Sequence, residues 1–277
     1  MEKQKLNRIL NVLFEQRGFD FSGYRRSMLE RRVQKRIYST KSKNLDDYLE
    51  YLLHHPDELD NLIDVFTINV SRFFRNSLSF EYINKIIIPE LFQSKVKEND
   101  NSLRIWSAGC SFGEEPYSMA IIVNEFLSKE DISIRPNIFA TDIDRKALKC
   151  ASVGNYRADS IENVKYCIFN KYFTKEGDQF HISTEIRNMV QFSFYDLLDK
   201  NHLVPPESIF GGFDIILCRN VLIYFDLDYQ KIIFNKLYRS LNPNGYLVLG
   251  EAEVPVEDFK KKFRRENKYC KIYRKIE

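Results

Sequence analysis

Apolar residues recur three and four positions apart through roughly the first quarter of the chain, and then the period changes. Leu6, Ile9, Leu10, Leu13 and Phe14 fall on one face of a predicted helix. A turn from Gly18 to Gly23 precedes a second helix over 24–38. Asn44 is an N-cap residue type in front of the helical pattern 45–54, and Pro56 suits the first turn of the next helix. A further helix around 80–92 leads into SKVKENDNS, which reads as a surface loop.

From Leu103 onward, short apolar runs alternate with amphipathic stretches. LRIWSAG, NIFATDID, MVQFSFYDL, FDIILCRNVLIYF, GYLVLGEAE and the terminal YCKIYRKI read as strands. EEPYSMAIIVNEFL, RKALKCASVG and YQKIIFNKLYRSL read as helices. Ala120, Val123 and Leu127 align on the first of these, and Ile233, Leu237 and Leu241 on the last, which stops at the turn Asn242-Pro243-Asn244-Gly245. This alternation predicts an α/β fold with a doubly wound, mostly parallel, Rossmann-like sheet. KYFTKEGDQFHIS reads as a hairpin turning at Glu176-Gly177-Asp178, a small β insertion over about 171–190. The expected organisation is an all-helical domain over 1–75 and an α/β domain over 76–277.

A hydrophobic content of 44% with few Gly and Pro supplies real cores and argues against disorder. The formal net charge of +3 does not make the whole chain a polyanion binder. Basic residues nevertheless cluster on the second helix. Leu29, Val33 and Ile37 share one face, and Arg25, Arg31, Arg32, Lys35 and Arg36 are expected on the other. By itself that pattern is a solvated basic face. The five cysteines, Cys110, Cys150, Cys167, Cys218 and Cys270, are odd in number and lack CxxC or metal-ligand spacing. His54, His55, His181 and His202 form no metal pattern and read as surface residues, so no metal is expected. With no signal-peptide core and no apolar run of membrane-spanning length, a reducing, cytoplasmic location is expected.

The candidate chemistry gathers at strand ends. The first strand runs into Gly109-Cys110-Ser111-Phe112-Gly113, a small-residue turn that lets a ligand approach the backbone. It is neither a GxGxxG fingerprint nor a P-loop. Glu114 and Glu115 at the following helix start disfavour a pyrophosphate and suit a cationic ligand, although complementing the helix dipole is an equally simple role. Asp142 and Asp144 close the second strand, where an acidic residue commonly grips ribose hydroxyls and one of the pair serves as an N-cap. Asp196 closes the third, where a carboxylate accepts from an adenine amine or simply makes a turn. Arg219 and Asn220 interrupt the apolar fourth strand, where a charge needs a partner. Cys218 beside them reads as a core residue.

Taken together, TINVSRFFR, WSAGCSFGEEPYS, ATDID, FYDLL and CRNVLIYF resemble the chemotaxis receptor glutamate methyltransferases over nearly the whole chain. The resemblance implies an S-adenosylmethionine-dependent enzyme that esterifies glutamates on the cytoplasmic helical domain of chemoreceptors. It implies a cofactor pocket of Asn69, Ser71, Arg75, Glu115, Asp142, Asp196, Leu197, Arg219 and Asn220. Phe112 stands where many relatives have Thr, and Asp196 where some have Asn. Arg75 and Tyr224 are the expected catalytic residues, orienting the acceptor carboxylate. Glutamate is ionised near neutral pH, so no general base is required. Receptor helices rich in Glu turn the basic stripe, with Arg25, Arg32, Lys35 and Arg36, into an expected docking surface. The hairpin loop is short, so dependence on a receptor C-terminal peptide is not expected. With no further domain after Glu277, a stand-alone monomeric enzyme is expected, reaching membranes only through receptors and binding no nucleic acid. Two other readings remain open: methylation of another substrate, against which the absence of an Asn/Asp-Pro-Pro-Tyr/Phe loop counts, and a non-catalytic cofactor-binding sensor or scaffold, against which retention of Arg75, Glu115 and Tyr224 counts.

Overall fold

The structure, a computed structural model, describes residues 3–67, 69–130, 134–208 and 212–276. Ile68, within the TINVSRFFR motif, lies outside the described residues. The chain divides into two compact units: residues 1–69 with 224–230, and residues 70–223 with 231–277.

The first unit is helical. It contains α1 (Lys3–Arg17), α2 (Arg26–Thr40), α3 (Leu45–His54) and α4 (Pro56–Phe66). Asn44 caps α3, its side chain accepting from the backbone N–H groups of Asp46 and Asp47 at 2.9 and 3.0 Å. Pro56 opens α4, where its missing N–H costs nothing. Leu6, Ile9 and Leu13 of α1 are buried, whereas Phe14 turns outward and is 57% exposed.

On α2 the expected segregation of apolar and basic faces is corrected. Leu29, Val33 and Ile37 are buried, and so is Arg32. An apolar stripe at i, i+3, i+4, i+7 and i+8 from Leu29 includes positions 32 and 36, so these two arginines sit on the packed face. Arg32 donates to the carbonyls of Val65 and Phe66 at 2.8 and 2.6 Å, satisfying the end of α4. Arg36 forms a two-pronged pair with Glu58, Nε to Oε1 at 2.8 Å and a second nitrogen to Oε2 at 2.6 Å. Tyr48 also donates to Glu58, at 2.8 Å. Burial works to raise the Glu58 carboxyl, but the hydrogen bonds from Arg36 and Tyr48 outweigh it and hold it below its ordinary value. Arg25, Arg31 and Lys35 are exposed.

The second unit begins with α5 (Ser77–Tyr82), a π-helical turn over Ile83–Ile87, and α6 (Ile88–Glu98). α6 continues through SKVKE, so the expected loop starts later, at the left-handed Asn99. There follow β1 (Ser102–Ala108), α7 (Glu114–Leu127), β2 (Arg135–Asp142), α8 (Arg145–Val153), β3 (Asn155–Tyr156), α9 (Tyr166–Tyr172), β4 (Phe173–Glu176), β5 (Gln179–Ile182), α10 (Thr184–Arg187), β6 (Val190–Phe194) and β7 (Phe213–Cys218). The chain ends with α11 (Leu227–Ser240), β8 (Leu241–Leu249), α12 (Glu257–Lys260), β9 (Phe263–Arg265) and β10 (Ile272–Lys275).

Seven strands form one sheet in the order β6-β2-β1-β7-β8-β10-β9. The first five run parallel and the last two join antiparallel. Strand order reverses beside β1, and in such sheets the carboxyl ends there form the ligand crevice. The strand expected over FDIILCRNVLIYF stops at Cys218, since Asn220 is left-handed at φ +60° and residues 222–224 form a 3-10 turn. The turn expected at 242–245 lies inside β8 as a bulge, with Phe213 opposite Leu241 and Ile215 opposite Tyr246. The hairpin β4–β5 pairs Glu176 with Gln179 and, with β3, makes a separate three-stranded sheet.

Candidate active site

Four parallel strands deliver their carboxyl ends to one edge of the second unit. After β1 the chain turns at Gly109, whose φ is +80°, and a Cβ there would stand 2.4 Å from Val221 Cγ2. A side chain at 109 is therefore excluded by both conformation and contact with the turn after β7. The N–H groups of Gly109 and Cys110 donate to the Thr141 carbonyl at 2.8 and 2.9 Å, tying this turn to β2.

Asp142 and Asp144 separate their roles. Asp144 caps α8, accepting from Lys146 N and Ala147 N at 2.8 and 3.1 Å. Asp142, half-buried, accepts from Ser111 N at 2.8 Å and Asp144 N at 2.9 Å, one bond to each oxygen. Burial pushes its carboxyl up, against the pull of these backbone donors. The Ile143 N–H draws on the same carboxylate, which still has acceptor capacity for a ligand hydroxyl. At the end of β6, one strand outward, Asp196 accepts from Leu198 N at 2.8 Å, and Leu197 is buried beside it. Lys236 of α11 braces that turn by donating to the Asp199 carbonyl at 2.7 Å.

The two glutamates of α7 also part company. Glu115 accepts from Ser107 Oγ at 2.8 Å and from Arg219 at 3.1 Å. Arg219 in turn donates to the Arg75 carbonyl at 2.6 Å and to Asn76 Oδ1 at 2.8 Å. The charge that interrupts the apolar run in the sequence is thus buried with a carboxylate partner. Glu114 is 2% exposed, lies against Ser71 and Ser160, and has its carboxyl pushed up by burial. Arg75 sits in a constrained loop. Phe74 is left-handed at φ +52° with its N–H on Ser118 Oγ at 3.0 Å, and the Arg75 guanidinium donates to the Val70 carbonyl at 2.8 Å.

Ser71, Arg75, Glu115, Asp142, Asp196, Leu197, Arg219 and Asn220 all belong to the second unit, where direct bonds join Arg219 to Glu115 and to the Arg75 carbonyl. Asn69 and Tyr224 group with the first unit. There the Arg32 guanidinium lies 5.8 Å from the centre of the Tyr224 ring, and the Tyr224 carbonyl accepts from Arg25 N at 2.8 Å. Sequence reasoning missed Glu253, whose carboxylate accepts from Asn220 N at 2.9 Å and Gly250 N at 2.7 Å. The signal was an acidic residue just beyond a strand end, the same one that marked Asp142 and Asp196.

Ser111 Oγ, Glu114 Oε2 and Arg219 Nε are buried at this edge without a hydrogen-bond partner among the described residues. Buried polar atoms are ordinarily satisfied, so a ligand rich in both donors and acceptors fits this edge. The carboxylates there suit ribose hydroxyls, an adenine amine and an ammonium, which are the polar groups of S-adenosylmethionine. Among the described residues no cluster of His, Cys, Asp and Glu is arranged to hold a metal, and no helix is long and apolar enough to cross a membrane.

Comparison with known proteins agrees with this chemistry. Residues 4–67 match the CheR methyltransferase all-alpha domain, and residues 69–271 match the CheR methyltransferase SAM binding domain. The chain is 31% identical over 255 residues to the chemotaxis protein methyltransferase of Borreliella burgdorferi, covering 91% of this chain and 88% of that protein. It is 33% identical over 236 residues to the corresponding protein of Listeria innocua, covering 85% and 84%. For that of Escherichia coli the identity is 31% over 253 residues, covering 89% and 82%. With S-adenosylmethionine as its cofactor, the chain belongs to the CheR family of chemotaxis methyltransferases.

Proposed function

We propose that this enzyme methylates glutamate side chains on the cytoplasmic helical domain of chemoreceptors, as a monomer in the cytoplasm. Bound S-adenosylmethionine would supply an electrophilic methyl group for the acceptor carboxylate. Asp142 would hold the ribose hydroxyls, Asp196 with Leu197 the adenine, and Glu115 the methionine ammonium, with Asn69, Ser71, Arg219 and Asn220 completing the pocket. Arg75 orients the incoming carboxylate, and Tyr224 supplies a hydrogen bond to it. Arg75 offers five donors and commits one to Val70, so a two-pronged grip on a carboxylate is within its capacity. The grip must stay moderate, because the carboxylate loses charge on reaching the transition state. Exposed Arg25, Arg31 and Lys35 would steer α2 along an acidic receptor helix, while Arg32 and Arg36 hold the helix in place.

The observation that carries this reading is Arg219, which pairs with Glu115 and donates to the Arg75 carbonyl, linking the turn bearing Asn220 to α7 and to the loop bearing Arg75. The direct test is transfer of labelled methyl to receptor-rich membranes. Base-labile label on receptors, including receptors shortened by their C-terminal peptide, is the expected result. Absent label, or label stable to base, overturns the assignment to glutamate esters. Activity lost only on shortened receptors shows instead that a peptide tether is required.

A further inference from the structure

Glu253 is 4% exposed and is bonded almost entirely to backbone. Its Oε2 accepts from Asn220 N at 2.9 Å and Gly250 N at 2.7 Å, and its Oε1 accepts from Ile223 N at 3.3 Å. The Leu222 N–H draws on the same carboxylate. These donors come from the turns that follow the adjacent parallel strands β7 and β8, so one side chain ties two strand ends together. The turn after β7 needs such a tie. Its sheet ladder has ended, leaving backbone N–H groups to be satisfied, and the chain reverses at Asn220, left-handed at φ +60°, a conformation that Asn tolerates better than most residues. Gly250 closes the lock from the other side. A Cβ there would stand 2.8 Å from Asn220 N and 2.8 Å from Glu253 Oε2, too close for either to stay in place.

We propose that Glu253 is a positioning residue for methyl transfer: it fixes the 219–223 turn so that Arg219 meets Glu115 and the Arg75 carbonyl while Asn220 faces the cofactor. The proposal rests on the assignment of Arg219 and Asn220 to the cofactor site. Arg219 opens this turn and has three partners outside it, so a shift of the turn strains all three bonds together. Glutamine at 253 would keep the shape but replace one acceptor oxygen with a donor facing N–H groups. Alanine at 250 would press on the same turn with the carboxylate intact.

The test uses the full chain with Glu253→Gln, Glu253→Asp, Gly250→Ala, Asn220→Ala and the control Phe263→Leu, each titrated with S-adenosylhomocysteine by calorimetry at a temperature where it is folded by circular dichroism. Thermal midpoints and steady-state kinetics are measured alongside. Glu253→Gln and Gly250→Ala are expected to weaken binding by about tenfold or more, or 1.4 kcal/mol, and to raise the cofactor KM. Glu253→Asp should recover part of the loss. Phe263→Leu, a buried substitution on β9, should lower the midpoint yet leave binding within about twofold of the parent. Affinities that merely follow the thermal midpoint across all variants, or parental affinity in both Glu253→Gln and Gly250→Ala, overturn the proposal. Failure of the parent itself to bind overturns the cofactor assignment as well. Loss of binding in Asn220→Ala but not in the Glu253 and Gly250 variants overturns the positioning role alone.

Discussion

Asp142→Ala removes a carboxylate that does two jobs, and the structure allows them to be separated. In the free protein it accepts backbone N–H bonds from Ser111 and Asp144 at 2.8 and 2.9 Å. Leaving those donors without an acceptor costs about 1–3 kcal/mol each where water cannot reach, and less here because the site is only half-buried. A stability loss of about 1–3 kcal/mol is therefore expected in urea unfolding. In the complex the same carboxylate would accept from ribose hydroxyls, and losing a hydrogen bond to a charged group costs about 1.5–3 kcal/mol. Binding of S-adenosylhomocysteine should weaken by about one to two orders of magnitude in calorimetry. Asp142→Asn keeps one acceptor oxygen and should fall between parent and alanine in both measurements. Because burial raises the Asp142 pKa, cofactor affinity of the parent should decline on acidification earlier than an ordinary Asp would dictate. The alanine variant should lack that limb. A folded Asp142→Ala protein with parental affinity would remove Asp142 from the pocket.

Arg32→Ala should destabilise the first unit by about 2–4 kcal/mol in urea unfolding, because two carbonyls at the end of α4 lose a charged donor. Arg31→Ala with Lys35→Ala should change stability by less than about 0.5 kcal/mol yet lower receptor methylation at low salt, an effect that shrinks as salt rises. Equal methylation at low salt would refute docking through α2. Arg75→Ala should abolish most activity, whereas Tyr224→Phe should lose less and retain S-adenosylhomocysteine binding. Neither the parent nor these variants should show a pH limb near ~6.5, and a clear one there would refute the base-free mechanism. Glu58→Gln should cost about 2–3 kcal/mol at neutral pH, a value reduced because Arg36 keeps 20% side-chain exposure. The Glu58 carboxyl is held below its ordinary value, so its contribution is present above that value and is lost as pH falls through the folded one. The parent's advantage over Glu58→Gln should accordingly close in acid, and a constant gap would contradict the pairing.

Local rules read directly from the chain explain where many elements begin. Asn44 and Pro56 announce two helices because capping and a fixed φ act within a few residues. The predicted helix EEPYSMAIIVNEFL is α7 over its full length, Glu114–Leu127, since Gly113 supplies the left-handed entry at φ +91°. The alternation of strand and helix conveyed the parallel sheet, and the acidic residues at strand ends conveyed the polar character of its edge. Helical period places positions 32 and 36 on the packed stripe of α2 but did not say that arginines would be accepted there, because their acceptors, the Val65 and Phe66 carbonyls and the Glu58 carboxylate, lie on α4 and only packing supplies them. Nor could it end β7 at Cys218, since the left-handed turn at Asn220 is held by Glu253, 33 residues further on. The partner of Arg219 is Glu115, 104 residues away, and strand order alone made them neighbours. The sequence by itself determined the periods, caps and residue types of the site. Tertiary structure decided which charges pair, because a buried ion is stabilised only by a partner in space, whatever its distance along the chain.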